Sequence, residues 1–128
     1  MMMYIQINPE LEMPIYEQLT MQIMIGIIRK ELQDGDMLPS VRSLAADLGV
    51  NMHTVNKSYH QLEKKGLIQI IPKSGAVIRT ISRRVTAEEQ NRVSDSLKPA
   101  IVEAIVLGMK EEEITRLMKS IIQKMKEE

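Results

Sequence analysis

No cysteine occurs in the 128 residues, so disulfides, thiolate zinc centres and thiol nucleophiles are excluded at once. Phe and Trp are also absent, and Tyr4, Tyr16 and Tyr59 are the only aromatic side chains. The core must therefore be aliphatic, with eleven methionines as adaptable filler. No run approaches the roughly eighteen apolar residues of a membrane span. The greasiest passage, 23–28, contains Gly26 and leads straight into Arg29 and Lys30. Neither a membrane span nor a signal peptide is expected, and the cytoplasm is the expected location. There is no nucleophile motif and no phosphate-cradling glycine loop, so neither an enzyme nor a cofactor is expected.

Net charge is the last absence, since 17 basic side chains balance 17 acidic ones. Their distribution is uneven. Between Pro39 and Arg84 stand eight cations, Arg42, Lys57 and Lys73 among them, against only Asp47 and Glu63, a local +6 that the remainder offsets. A polyanion that approaches closely responds to this local field and not to the total. What is present is enough to fold: 44% apolar and 27% charged residues argue for a globular chain and against disorder.

Periodicity orders the chain. Tyr4-Ile5-Gln6-Ile7 alternates and predicts a short strand, ended by Asn8 and Pro9. A helix is predicted over 13–32, with Pro14 in its first turn and Ile15, Leu19, Ile23 and Ile27 on one core-facing stripe. Met24, Ile25 and Ile28 widen that surface, either for deeper burial or for a subunit contact. After the turn Asp34-Gly35-Asp36, a short helix over 40–48 is broken by Gly49. Asn51 caps a further helix over 52–65, with Val55, Tyr59 and Leu62 turned inward and Gly66 at its end. The apolar runs 67–71 and 76–79, separated by Pro72-Lys73-Ser74-Gly75, predict a hairpin. Arg83 and Arg84 begin a linker, and Thr86-Ala87-Glu88-Glu89 has the spacing of a capping box. The helix that follows carries Val93, Leu97, Ile101 and Ile105 on one stripe, is expected to kink at Pro99 and is closed by Gly108. Glu111-Glu112-Glu113 suits the first turn of a last helix, whose apolar face is Ile114, Leu117, Met118, Ile121, Ile122 and Met125. The expected domains are 1–80 and 81–128.

Two helices that cross steeply need a small residue at the crossing, which Ala45 supplies, and a turn residue tolerant of positive φ, which Gly49 supplies. Val55 then buries a branched side chain against the first helix, with Leu44, Leu48 and Val50 completing a small core. A basic hairpin follows. The predicted fold is mainly α with a small β-hairpin wing, a winged helix-turn-helix followed by a short two-helix C-terminal dimerisation segment.

The stretch Gly35-Asp36-Met37-Leu38-Pro39-Ser40-Val41-Arg42-Ser43-Leu44-Ala45 resembles the opening of GntR-family transcription regulators. Leu48-Gly49-Val50-Asn51, Thr54-Val55, Tyr59, Leu62-Glu63, Gly66-Leu67-Ile68 and Gly75 continue the likeness. The Asn51, Thr54-Val55 and Tyr59 version, with a short helical tail, is most similar to the YtrA-type branch. The resemblance implies a DNA-binding regulator, more often a repressor, and a branch whose members commonly control neighbouring transporter operons. It also implies that Ser40, Arg42 and the start of the third helix (Asn51, Met52, His53, Thr54, Asn56 and Lys57) touch the operator. The N-terminal end of such a helix enters the major groove. There Asn56 suits adenine and Arg42 suits guanine or phosphate, while Thr54 and Lys57 suit phosphate. Lys73 and Ser74, with Gly75 in the wing, would reach backbone or minor groove. This chain departs from the branch at Met52, usually Pro, at Ser43, frequently Glu, and in the wing at Lys73, Ser74 and Val77, usually Gly, a cation and Phe.

Plainer readings compete with these. A cation at a helix start opposes the dipole, so Arg42 is better explained by an external anion than as an idle surface charge. Asn51 is principally a cap, and Lys64 and Lys65 suit a solvated helix end. His53 and His60 lie seven apart without a nearby carboxylate or thiolate, a poor metal site, so no metal is expected. Two C-terminal helices alone expose too much apolar surface, and a homodimer, matched to a palindromic double-stranded DNA operator, is expected to bury it. A small-molecule effector is left open, because no effector pocket is recognisable. The rival functions are a winged-helix protein–protein adaptor that never meets DNA and a small-ligand sensor with weak DNA binding.

Overall fold

The computed structural model describes residues 5–80 and 84–127. Tyr4 of the expected strand and Arg83 of the expected linker lie outside the described residues. In chain order the described elements are α1 (Ile15–Ile28), β1 (Met37–Leu38), α2 (Val41–Leu48), α3 (Met52–Lys64), β2 (Ile68–Ile71), β3 (Gly75–Ile78), α4 (Ala87–Val106) and α5 (Glu111–Glu127). They fall into two compact units, Met1–Ile81 and Ser82–Glu128.

In the first unit, α1 begins after Pro14, whose carbonyl accepts from the N–H groups of Glu17 and Gln18 at 3.0 Å each. Its stripe is buried most deeply at Leu19 and Ile23, with Ile15 and Ile27 only half-buried at the ends. The helix stops at Ile28, short of the predicted residue 32. Lys30 turns left-handed at φ 63°, and the N–H groups of Glu31 and Leu32 both return to the Gly26 carbonyl, at 2.9 and 3.1 Å. The turn drops Leu32 into the core, where it is fully buried. Burying that side chain stabilises the fold by about 1.5–3 kcal/mol, more than another exposed helical turn would.

The strand expected near the N-terminus is not formed at Ile5–Ile7. A strand needs a neighbour, and α1 lies there instead. Gln18 exchanges hydrogen bonds with the Asn8 backbone (Oε1 accepting at 2.9 Å, Nε2 donating to the carbonyl at 2.8 Å), and Gln22 treats Gln6 in the same way. Helix amides thus replace a β-ladder. On its other side α1 meets α3 through a buried polar pair: Thr20 donates to the Tyr16 carbonyl at 2.8 Å, leaving the Ser58 hydroxyl to donate to Thr20 Oγ1 at 2.7 Å. Every partner in that pair is satisfied, so its burial is tolerated.

The predicted two-stranded hairpin has a third strand. The sheet order is β1-β3-β2, antiparallel throughout, with Met37 opposite Val77 and Leu38 opposite Ala76 on one side of β3 and Ile70 opposite Ala76 on the other. β3 is buried along its whole length as the central strand. At the edge, the Glu63 carboxylate accepts from the Ile70 N–H of β2 at 2.9 Å, covering a group that would otherwise invite another strand.

In the second unit, α4 carries the capping box in full: Thr86 Oγ1 accepts from Glu89 N at 3.0 Å and Glu89 Oε1 from Thr86 N at 2.9 Å. The helix continues through Pro99 without a break, and the turn after it contains Gly108 at φ 103°. The acidic triplet stands in the first turn of α5. No residue of α4 or α5 is buried. Among the described residues, no helix is long and apolar enough to cross a membrane.

Candidate nucleic-acid interface

The dipeptide Leu38-Pro39 ties together three parts of the first unit. Directly after it, Ser40 caps α2 by accepting from Ser43 N at 3.1 Å, and Arg42 stands exposed in the first turn. From α3, the Tyr59 hydroxyl donates to the Pro39 carbonyl at 2.7 Å. Burial raises the Tyr59 pKa well above its ordinary value, which keeps the hydroxyl protonated as a donor. From the wing, Gly75 at φ 124° lies so close that a Cβ would sit 2.1 Å from the Leu38 carbonyl oxygen. Only glycine lets β3 start there. Gly75, carried from the resemblance as a wing site residue, is thus buried, with a steric reason of its own.

Asn51 caps α3 through its side chain, which accepts from His53 N at 2.7 Å. Val55, Ser58, Tyr59 and Leu62 turn inward, whereas Met52, His53, Asn56 and Lys57 are exposed and Thr54 is half-buried. At the wing tip, Ser74 N donates to the Ile71 carbonyl at 3.0 Å across a turn with Pro72 second and Lys73 third. Lys73 adopts φ 68°, the left-handed value that a type II turn requires at that position and that glycine normally supplies.

A cleft of about 640 Å³ opens between these parts. Ser40 and Arg42 from the start of α2, Met52, His53 and Asn56 from α3, and Lys73 and Gly75 from the wing all line it. Asn51, Thr54, Lys57 and Ser74 do not. No carboxylate is among its lining residues; two cations, an amide, an imidazole and a hydroxyl surround an apolar patch of Val41, Ile70, Ile71 and Pro72. Donors and positive charge with no opposing acid suit an anionic ligand that also presents apolar groups.

Lys57 stands elsewhere, with its ammonium 4.0 Å above the ring centre of Tyr16, a cation–π contact with α1. Sequence reasoning passed over Tyr16 and the bond from Tyr59 to Pro39, although two of only three aromatics in the chain were a usable signal. It also passed over the apolar lining, in which Ile70 and Ile71 were visible only as strand formers. Among the described residues, no three His, Asp or Glu side chains converge as metal ligands.

The family model for bacterial regulatory proteins of the gntR family matches residues 14–78. The HTH-type transcriptional repressor YtrA of Bacillus subtilis is 33% identical over 118 residues, 91% of each chain. A solved structure of a transcriptional antiterminator from Listeria monocytogenes matches with a TM-score of 0.86 at 30% identity, over 94% of this chain and 90% of that one. YtrA from Sulfolobus acidocaldarius, a GntR-family transcription factor, matches with a TM-score of 0.58 at 40% identity, over 75% of this chain and 97% of that one.

Proposed function

The chain belongs to the GntR family as a DNA-binding transcription regulator similar to its YtrA-type members, and on that premise we propose that it is a homodimeric repressor of a palindromic operator. The observation that carries this reading is the carboxylate-free cleft, in which Arg42, the start of α3 and the wing cation Lys73 share one face. In a complex, the N-terminal end of α3 lies in the major groove. Asn56 pairs with an adenine edge, Arg42 reads guanine or clamps a phosphate, and Lys73 reaches the backbone beside the groove. Ser40, His53 and the wing tip at Ser74 flank those contacts, while Asn51, Thr54 and Lys57 position the helix against phosphate.

Two-fold pairing is supported by the second unit, where α4 and α5 leave Val93, Leu97, Ile105, Leu117, Ile121 and Ile122 exposed. An isologous dimer covers the same face on both copies and sets two recognition helices one DNA turn apart. The identity to a named repressor favours repression, and the branch favours neighbouring transporter genes as targets. An effector, where one exists, would act by shifting the spacing of the two recognition helices.

The test is a footprint over the region upstream of the protein's own gene at several salt concentrations. A protected palindrome whose affinity falls steeply as salt rises is expected. Arg42→Ala should weaken binding by about ten- to hundredfold while leaving the dimer intact. Full affinity in that variant would remove Arg42 from the interface, and no protected sequence at moderate ionic strength would favour the adaptor.

A further inference from the structure

Met52 stands at the first position of α3, the end of the helix aimed into the cleft. It is 45% exposed and belongs to neither the buried core nor the helix cap, which Asn51 completes with the N–H of His53. Methionine also lacks the fixed φ that makes proline favourable at a first helical position. Local folding therefore gives no reason for a long apolar side chain here. In the same cleft, Val41, Ile70 and Pro72 extend the apolar surface beside Arg42 and Asn56.

In the major groove all four bases present hydrogen-bonding atoms, and thymine alone adds a methyl group, at C5. We propose that Met52 is a specificity-determining residue that packs its thioether against a thymine methyl in each half-site. The inference rests on reading the cleft as the face that meets the major groove. Arg42 and Lys73, which line the same cleft, supply the attraction to the backbone that brings the base edge within reach of Met52. The flexible, polarizable side chain suits a small methyl target whose placement depends on how the helix seats.

The experiment uses the full chain and a duplex enriched by it from a random pool. Each thymine of that duplex is replaced in turn by deoxyuridine, which removes the methyl and nothing else from the base. One position per half-site should lose about fourfold in affinity, the value of one buried methyl group. Met52→Ala, a change at an exposed site, should lose a similar factor on the thymine duplex and become indifferent to deoxyuridine at that position. Met52→Leu should keep the discrimination. If every deoxyuridine duplex binds as tightly as its parent, or if Met52→Ala is as sensitive to the methyl as the original protein, the thymine contact is overturned while DNA binding stands. If no duplex is enriched at all, the DNA-binding reading of the cleft falls, and the thymine contact with it.

Discussion

Ile23 and Ile122 are the same side chain on the apolar face of a helix, yet Ile23 is fully buried and Ile122 is 47% exposed. The difference belongs to the two units. In Met1–Ile81, the stripe of α1 closes on α3, the sheet fills in below, and polar intrusions such as Thr20 and Ser58 are paired. In Ser82–Glu128, the caps and turns are equally well made, and yet neither helix buries a single residue. Local signals are thus enough to form helices, but only a second apolar surface turns them into a core. The first unit has that surface within its own sequence. The second leaves Val93, Leu97, Ile105, Leu117, Ile121 and Ile122 exposed, and the proposed dimer provides their complement.

Truncating the buried isoleucine sharpens the contrast most. Ile23→Ala should cost about 3 kcal/mol, from lost transfer energy and the cavity left behind. Thermal unfolding should show that loss as the same drop in the stability of the first unit at any protein concentration. A concentration-dependent loss would mean that the first unit is not self-sufficient. Next in size is the pair Leu117→Asp and Ile121→Asp, one turn apart on the exposed face of α5. Charges there disturb no buried contact within the chain. Sedimentation should show a monomer, and affinity for a two-half-site duplex should fall about a hundredfold as the second half-site becomes a separate binding event. Unchanged mass would place the dimer interface on another face.

The same division explains what was legible in the sequence. Elements defined by contacts close along the chain stood out: the Asn51 cap, the Thr86 capping box, the turn at Gly49 and the inward stripe of α3. Elements that depend on distant partners did not. β1 is two residues long and carries no periodicity; it exists because Val77 and Ala76 are there to pair with it. The end of α1 is set by the core's demand for Leu32, and the N-terminal segment takes its hydrogen bonds from Gln18 and Gln22. At the candidate interface, the sequence offered individual residues but not their grouping. Lys57 follows Asn56 in sequence, and yet it sits over Tyr16 while Asn56 lines the cleft.

The smallest expected effect separates the requirements of folding from those of binding inside the first unit itself. Lys73 holds φ 68° at the wing tip, a conformation that costs a side-chain-bearing residue about 1–2 kcal/mol. Lys73→Gly removes that strain but gains freedom in the unfolded chain, leaving a net stabilisation of about 0.5–1 kcal/mol. If lysine stands there for stability, the variant should be less stable, which the backbone argues against. If it stands there for its charge at the mouth of the cleft, the variant should melt higher and yet bind DNA a fewfold more weakly, with the salt slope reduced by about 0.9 for each phosphate no longer neutralised. Strain retained at a cation that touches the ligand is the pattern expected of a functional site. A variant with a higher melting temperature, an unchanged salt slope and unchanged affinity would reduce the left-handed lysine to an accident of the turn and leave Arg42 as the cleft's one working cation.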